Sequence, residues 1–184
     1  PIMMSEMPGA AKGPRPSEAI TGLPNNYPAP QPAAPLTDGL DAPPLNGVRV
    51  LEITNLIAGP TGGRLLADLG ADVIKFEPPT GDLSRPIGRT YFYNINFGKR
   101  SVSVNTRKDD GKRIAQKIAA SADALLANLR PHATERMGID EMVNPRLIEA
   151  HLTGYGWTGP YSKRPGIDPL AQALMGMELD AGSA

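Results

Sequence analysis

The stretch from Val48 to Pro79, VRVLEITNLIAGPTGGRLLADLGADVIKFEPP, constrains this chain most, because it reads as strand, tight turn, helix and strand in immediate succession. Val48, Val50, Leu51 and Ile53 form an apolar run broken at Thr54 and Asn55, which suits a strand buried on both faces of a parallel sheet. Ala58 and Gly59 then let backbone approach a ligand, and Pro60 suits the first helical position. Leu65, Leu66 and Leu69 fall on one helical face and are expected to turn toward the core, with Gly70 ending the helix. Asp72 to Phe76 forms the second strand. The first loop of such a unit lies at the carboxyl end of a parallel strand, where open α/β sheets bind ligands.

The rest of the chain continues the alternation. Pro78 to Gly98 reads as loop-rich and holds GDLSR at 81 to 85. Lys99 and Arg100 stand before a short strand, Ser101 to Val104, and two adjacent cations there suit either bound phosphates or a solvated surface pair. A helix opens at Asp109 or Asp110, with Ile114, Ile118 and Ala119 at helical spacing, and a buried strand, Ala124 to Ala127, ends at Asn128. A short helix and turn fill Leu129 to Arg146, and Asn144 and Pro145 mark the break before a strand from Leu147 to Leu152. After the Gly- and aromatic-rich loop TGYGWTGPYSKR, a helix runs from Asp168 or Pro169 to Met177. Strands alternating with helices imply an α/β fold, a parallel sheet with helices on both faces.

Composition narrows the function classes. Nineteen basic and nineteen acidic side chains cancel, so neither nucleic acid nor an anionic membrane is expected as a partner. There is no cysteine, which excludes disulfides and thiolate metal sites, and neither His132 nor His151 has a second ligand at metal-type spacing. No metal is therefore expected, and both histidines read as structural or surface residues. Apolar runs fall short of the roughly 20 residues needed to cross a bilayer, and no leader-like start is present, so a cytoplasmic protein is expected. Residues 1–44 are Pro-rich without periodicity and read as an extended arm around a partner subunit, or as a disordered tail; residues 45–184 read as one domain.

The segments LNGVRVLEIT, AGPTGGRLLADLGADVIKFEPPTGDLSR, GKRSVSV, ANLRPHATERMG, NPRLIEAHLTGYGWTGPYSKRPGID and AQALMG occur in the order seen in one family. The chain resembles the class III CoA-transferases, the group that includes formyl-CoA transferase and the α-methylacyl-CoA racemases. The resemblance implies a Rossmann-like fold, here the N-terminal part of the large domain, with the small domain and the C-terminal segment lying outside 45–184. It implies that Asn55, Leu56, Ile57 and Ala58 line the acyl-CoA site. Asn128 and Leu129 match a contact to the pantetheine or nucleotide portion, and Arg136 and Met137 a second one. Lys99 and Arg100 match a basic pair beside the nucleotide phosphates, and helix-start backbone donors with fixed cations suit such anions. Some members carry an arginine after the position of Glu77, where this chain has Pro78. Coenzyme A is then a substrate, and no tightly bound cofactor is expected. The loop GYGWTGPY offers aromatic surface for a thioester tail, or packs as an ordinary loop.

Transferases of this family use an aspartate nucleophile that forms acyl anhydrides, in a Gly-Asp stretch downstream of the segment matching AQALMG. No such stretch occurs between that segment and Ala184, and Asp180 lies too close to it. Asp168 resembles an auxiliary acid that faces the family's active site, and Asp before Pro is equally a favourable helix N-cap. Family racemases pair this acid with a histidine, and some carry one directly before it. Here that residue is Ile167, which favours transferase chemistry. The expectation is a CoA-binding N-terminal part of an enzyme that moves CoA from an acyl-CoA donor to a free carboxylate. A second polypeptide would supply the nucleophile, in an interlocked assembly. The alternatives are a non-catalytic CoA-binding regulatory subunit and a racemase or isomerase of the same family. A dinucleotide oxidoreductase with Glu77 on the ribose is disfavoured, because AGPTGG does not supply G-x-G-x-x-G.

Overall fold

The computed structural model describes residues 42–130, 132–139 and 143–177; the expected arm, apart from its last three residues, lies outside them, as does Asp180. Five parallel strands, β1 (Arg49–Ile53), β2 (Asp72–Glu77), β3 (Arg100–Ser103), β4 (Ala124–Ala127) and β5 (Ile148–His151), form one sheet in the order β3-β2-β1-β4-β5. The connections carry α1 (Ala58–Asp68), α2 (Arg89–Asn96), α3 (Asp109–Ala120) and α4 (Ala133–Arg136), and α5 (Asp168–Leu174) follows β5. This is the parallel α/β sheet expected from the alternation, in the Rossmann-like form that the resemblance implies. The strand order reverses direction between β1 and β4, so the carboxyl ends of these two strands flank the topological switch point.

Side chains alternate between the two faces, and each face is covered. Behind the sheet, Leu51, Ile53, Ile74, Phe76 and Leu125 pack with Ala115, Ile118 and Ala119 of α3. On the other face Val50, Val73 and Leu126 pack with Ala67 of α1 and with Ala71. Two positions further along β1 and β2, this second face changes character: Glu52 and Lys75 are paired across the strands and both are fully buried.

Two local expectations need correction. Helix α1 begins at Ala58, placing Pro60 third, where its missing N–H is one that a helix start leaves without an intrahelical partner anyway. Its inward face is Gly59, Pro60, Gly63 and Ala67, while Leu65 is 55% exposed. Small residues are required there because the Glu52 carboxylate rises from the sheet beneath the helix: a Cβ on Gly63 would collide with it. The end of α1 is as expected. Gly70 at φ +104 donates to Ala67 O and the Ala71 amide to Leu66 O, the paired bonds of a Schellman stop. The second correction is α2, inside the stretch read as loop. YFYNIN buries only Phe92, so it lacks the repeating apolar stripe by which a helix is recognised in sequence.

Candidate functional site

At the switch point a single amide ties two strand ends together. Asn128, directly after β4, accepts from the Asn55 amide at 2.8 Å and donates to the Asn55 carbonyl at 2.7 Å. Both backbone groups of Asn55 are thereby held by a residue 73 positions away. The first turn of α1 leans on the same point, since a Cβ on Gly59 would overlap Thr54 and lie 3.1 Å from Asn128 Cγ. The loop then turns through Leu56, a non-glycine residue at φ +64, and Leu56, Ile57 and Ala58 are exposed. Asn55, Leu56, Ile57, Ala58 and Asn128 are therefore gathered in one place, with Asn55 and Asn128 half-buried, whereas Leu129 packs against the core behind the sheet. Helix α1 begins there without a side-chain cap.

Other residues singled out in the sequence lie elsewhere or face other ways. Arg136 is exposed at the end of α4, whereas Met137 packs against the core behind the sheet. Arg100 reaches back toward the amino end of β2, to Asp72 at 3.0 Å. Lys99 is neither a solvated surface cation nor free for a phosphate. Its ammonium is spent on Glu52 Oε2 at 2.7 Å, the Pro60 carbonyl at 2.7 Å and Asn96 Oδ1 at 2.8 Å. Asp168 is the first residue of α5, not its N-cap, which is Ile167; its carboxylate accepts from Gln172 and makes no capping bond.

The residues that sequence reasoning missed are charged and buried. Lys75 Nζ lies 3.1 Å from Glu52 Oε1, 2.7 Å from Asp82 Oδ2 and 3.0 Å from the Thr54 carbonyl, with Lys75 and Asp82 each 1% exposed. The Thr54 hydroxyl also donates to Glu52, at 2.6 Å. Lys99, Glu52, Lys75 and Asp82 thus form a neutral four-membered chain of alternating charge. Next to it Arg85 makes two 2.7 Å bonds to Glu77, which also accepts from the Ser101 hydroxyl and the Asp82 amide. The Arg85 guanidinium lies 4.0 Å from the centre of the Phe92 ring. The available signal was Glu and Lys set between apolar neighbours in two adjacent strands, each at an alternate position facing the same helix.

Burial pushes the Glu77 carboxyl up, but the bonds from Arg85, Ser101 and the Asp82 amide, with the Arg85 charge, outweigh it and hold the group below the usual carboxylate range. Burial likewise raises Asp82, and Lys75 and the two Ser84 donors bring it below its ordinary value. Lys99 shifts the other way for a cation: burial, reinforced by repulsion from Lys75, brings it down to about 8 against the attraction of Glu52. Lys75 touches two carboxylates and Lys99 only one, so Lys99 is the less compensated cation. Between about pH 8 and 10.5 the unfolded chain keeps a proton that the folded chain has shed, so stability rises across that window. Below pH 8 both states are charged and the penalty of about 3 kcal/mol is present in full. Chemical denaturation as a function of pH should show this rise, and Lys99→Met should flatten it. An equal slope in the variant would remove Lys99 as its source.

The two histidines come together around Trp157, whose ring meets His132 edge-on at 5.5 Å and His151 at 4.7 Å. His151 also bonds Glu149 at 2.7 Å and His132 bonds Glu135 at 2.8 Å. The loop carrying Trp157 is pinched at its neck, where a Cβ on Gly154 or Gly166 would lie 2.5 Å from the other's Cα. It is a compact Ω-shaped loop whose aromatic residue docks beside β5.

Comparison with known proteins gives these features a context. A sequence model described as CoA-transferase family III matches residues 45–184. The chain is 44% identical over 149 residues to a probable fatty acyl-CoA transferase of Mycobacterium tuberculosis, covering 74% of this chain and 38% of that protein. It is 39% identical over 155 residues to the succinyl-CoA:glutarate CoA-transferase of Mus musculus, covering 78% and 36%. A crystal structure of the mycobacterial protein superposes with a TM-score of 0.69 at 43% identity, over 74% of this chain and 40% of that one. A CAIB/BAIF family protein from Brucella suis gives 0.69 at 37% identity, over 73% and 40%. The chain spans well under half the length of each of these relatives. With the family model spanning residues 45–184 and the fold matched at over 40% identity, the chain belongs to CoA-transferase family III.

Proposed function

We propose that this chain supplies the acyl-CoA-binding part of an enzyme that moves CoA from an acyl-CoA donor to a free carboxylate. The observation that carries this reading is the amide clamp of Asn128 on Asn55 at the switch point. It presents an uncapped helix start and the apolar side chains of Leu56 and Ile57 at one mouth. Such a mouth suits a thioester-bearing chain with anionic groups at its far end, and Arg136, exposed after β4, is the cation we assign to those groups. Lys99 and Arg100 belong to the scaffold in this reading.

The aspartyl nucleophile and the remaining fold come from polypeptide outside these 184 residues, continuous with this chain or separate from it. What supports this is the apolar surface beyond β5. Ile148 on that edge strand is 71% exposed, no residue of α5 is buried, and Met175 is 79% exposed. A sheet edge and a helix left open in this way call for a covering partner.

Titration of the chain with coenzyme A by calorimetry should give saturable binding. Asn128→Ala should weaken it at least about tenfold, because the two bonds that set the loop are lost together. Absence of binding by the wild-type chain would sink the reading. Succinyl-CoA and a panel of carboxylates should give no transfer with this chain alone, and transfer once polypeptide bearing a Gly-Asp stretch is supplied. Turnover by the chain alone would overturn the assignment of the nucleophile.

A further inference from the structure

The buried charge chain ends at the loop that the proposed acyl-CoA site depends on. Leu56 adopts the left-handed conformation, which costs a residue with a Cβ on the order of 1 kcal/mol and persists only where the surroundings impose it. Two contacts can impose it. One is the Asn128 clamp on Asn55, immediately before. The other is the Leu56 amide itself, which donates to Asp82 Oδ1 at 3.3 Å. Asp82 belongs to a different connection, the one between β2 and α2, so its carboxylate joins the loops that leave two neighbouring strands.

Asp82 is itself held at every polar atom that this requires. Its Oδ1 accepts from the Ser84 amide and hydroxyl, both at 2.7 Å, and its Oδ2 faces Lys75 at 2.7 Å. Its own amide donates to Glu77 at 2.9 Å, and Glu77 is gripped by Arg85 and Ser101. The carboxylate cannot rotate away from Leu56 without abandoning Lys75 or Ser84. Lys75 cannot follow it, because Glu52 and the Thr54 carbonyl hold the ammonium under the same loop.

We propose that Asp82 is the positioning residue that fixes the loop after β1 in its left-handed turn at Leu56, and so presets the mouth for acyl-CoA; the second half of this statement rests on the function proposed above. Asp82 touches no substrate in this role. It acts through the Leu56 amide, and the ion pair with Lys75 keeps its oxygen in place. A loop already in its binding shape pays no ordering cost when the ligand arrives, whereas a loop that populates that shape one-tenth of the time binds about tenfold more weakly.

The test is Asp82→Asn in the full chain, followed by amide hydrogen exchange at Asn55 and Leu56 and by calorimetric titration with coenzyme A. The Leu56 amide should lose protection while Asn55, held by Asn128, keeps it, and the affinity for coenzyme A should fall about tenfold. Asn144→Ala serves as a control for general loss of stability. It removes two buried bonds to the carbonyls of Ala119 and Ala122, remote from the mouth, and should leave coenzyme A affinity unchanged. If Asp82→Asn does not fold, the pair Lys75→Met with Asp82→Asn removes one charge of each sign and takes its place. Unchanged Leu56 protection in a folded variant overturns the proposal, as does equal loss of affinity in Asn144→Ala. Wild-type chain that fails to bind coenzyme A while Leu56 still loses protection in Asp82→Asn overturns the acyl-CoA reading and upholds the loop-setting role.

Discussion

Lys75→Met should destabilise the fold by about 3–5 kcal/mol, because it leaves two carboxylates facing one another in a dry interior. Lys75 is the middle of the charge chain: Glu52 lies on one side at 3.1 Å and Asp82 on the other at 2.7 Å. Methionine fills the same volume, so the loss reports charge and not a cavity. The fall in melting temperature should be roughly 10 °C for a chain of this size. Acid should soften the effect. Lys75 is the main reason that the Asp82 carboxyl is held low against its burial, so without the cation Asp82 takes up a proton more readily in the folded state. The deficit of the variant should then be larger at pH 8 than at pH 5. Adding Asp82→Asn to Lys75→Met should cost less than the two single losses summed, since the second change removes a charge that the first left unpaired. Additive losses in that double-mutant cycle would mean that the two residues do not act as a pair.

The same cluster marks the boundary of what the sequence made legible. Strand β4 was readable because Ala124–Ala127 is apolar on both sides, and its observed limits coincide with the reading. Asn128 was readable as the residue at its carboxyl end, and Asn55 to Ala58 as the loop after β1. That these two points meet through paired hydrogen bonds depends on β4 lying beside β1, a pairing across more than 70 residues that local pattern does not carry. Lys99 shows the same difficulty more sharply. In sequence it is half of a basic pair before a strand; in the fold it is the cation that closes a buried network built from β1, α1 and α2. Periodicity also misplaced Leu65. A leucine on a helical stripe ordinarily faces a core, but here the sheet beneath α1 presents a carboxylate, and the helix meets it with glycines. Asp168 was readable as a helix start, and the finer reading as a cap failed because its side chain turns along the helix to Gln172.

The two adjacent glycines of α1 turn that account into a paired prediction. Glycine in a helix interior normally costs stability relative to alanine, by about 0.5–1 kcal/mol. Gly62→Ala should recover that amount, because its Cβ would meet only Leu126 Cδ2 at an ordinary 3.6 Å. Gly63→Ala should do the opposite, with a loss of about 3 kcal/mol, at the upper end of what overpacking costs. Its Cβ would strike the Glu52 carboxylate and press on Lys99 Nζ at 3.1 Å. Neither can give way as a surface side chain would: Glu52 is held by Thr54, Lys75 and Lys99, and Lys99 by Pro60 and Asn96 as well. The strain must therefore move α1 off the sheet, and with it the helix start at the mouth. Thermal denaturation of the two variants separates the explanations. If both alanines stabilise the chain, Gly63 is present for reasons of backbone alone and the carboxylate beneath it is free to move. If they diverge in sign, the buried charges dictate which residue the helix can place above them, and the position of the loop after β1 is tied to the same constraint.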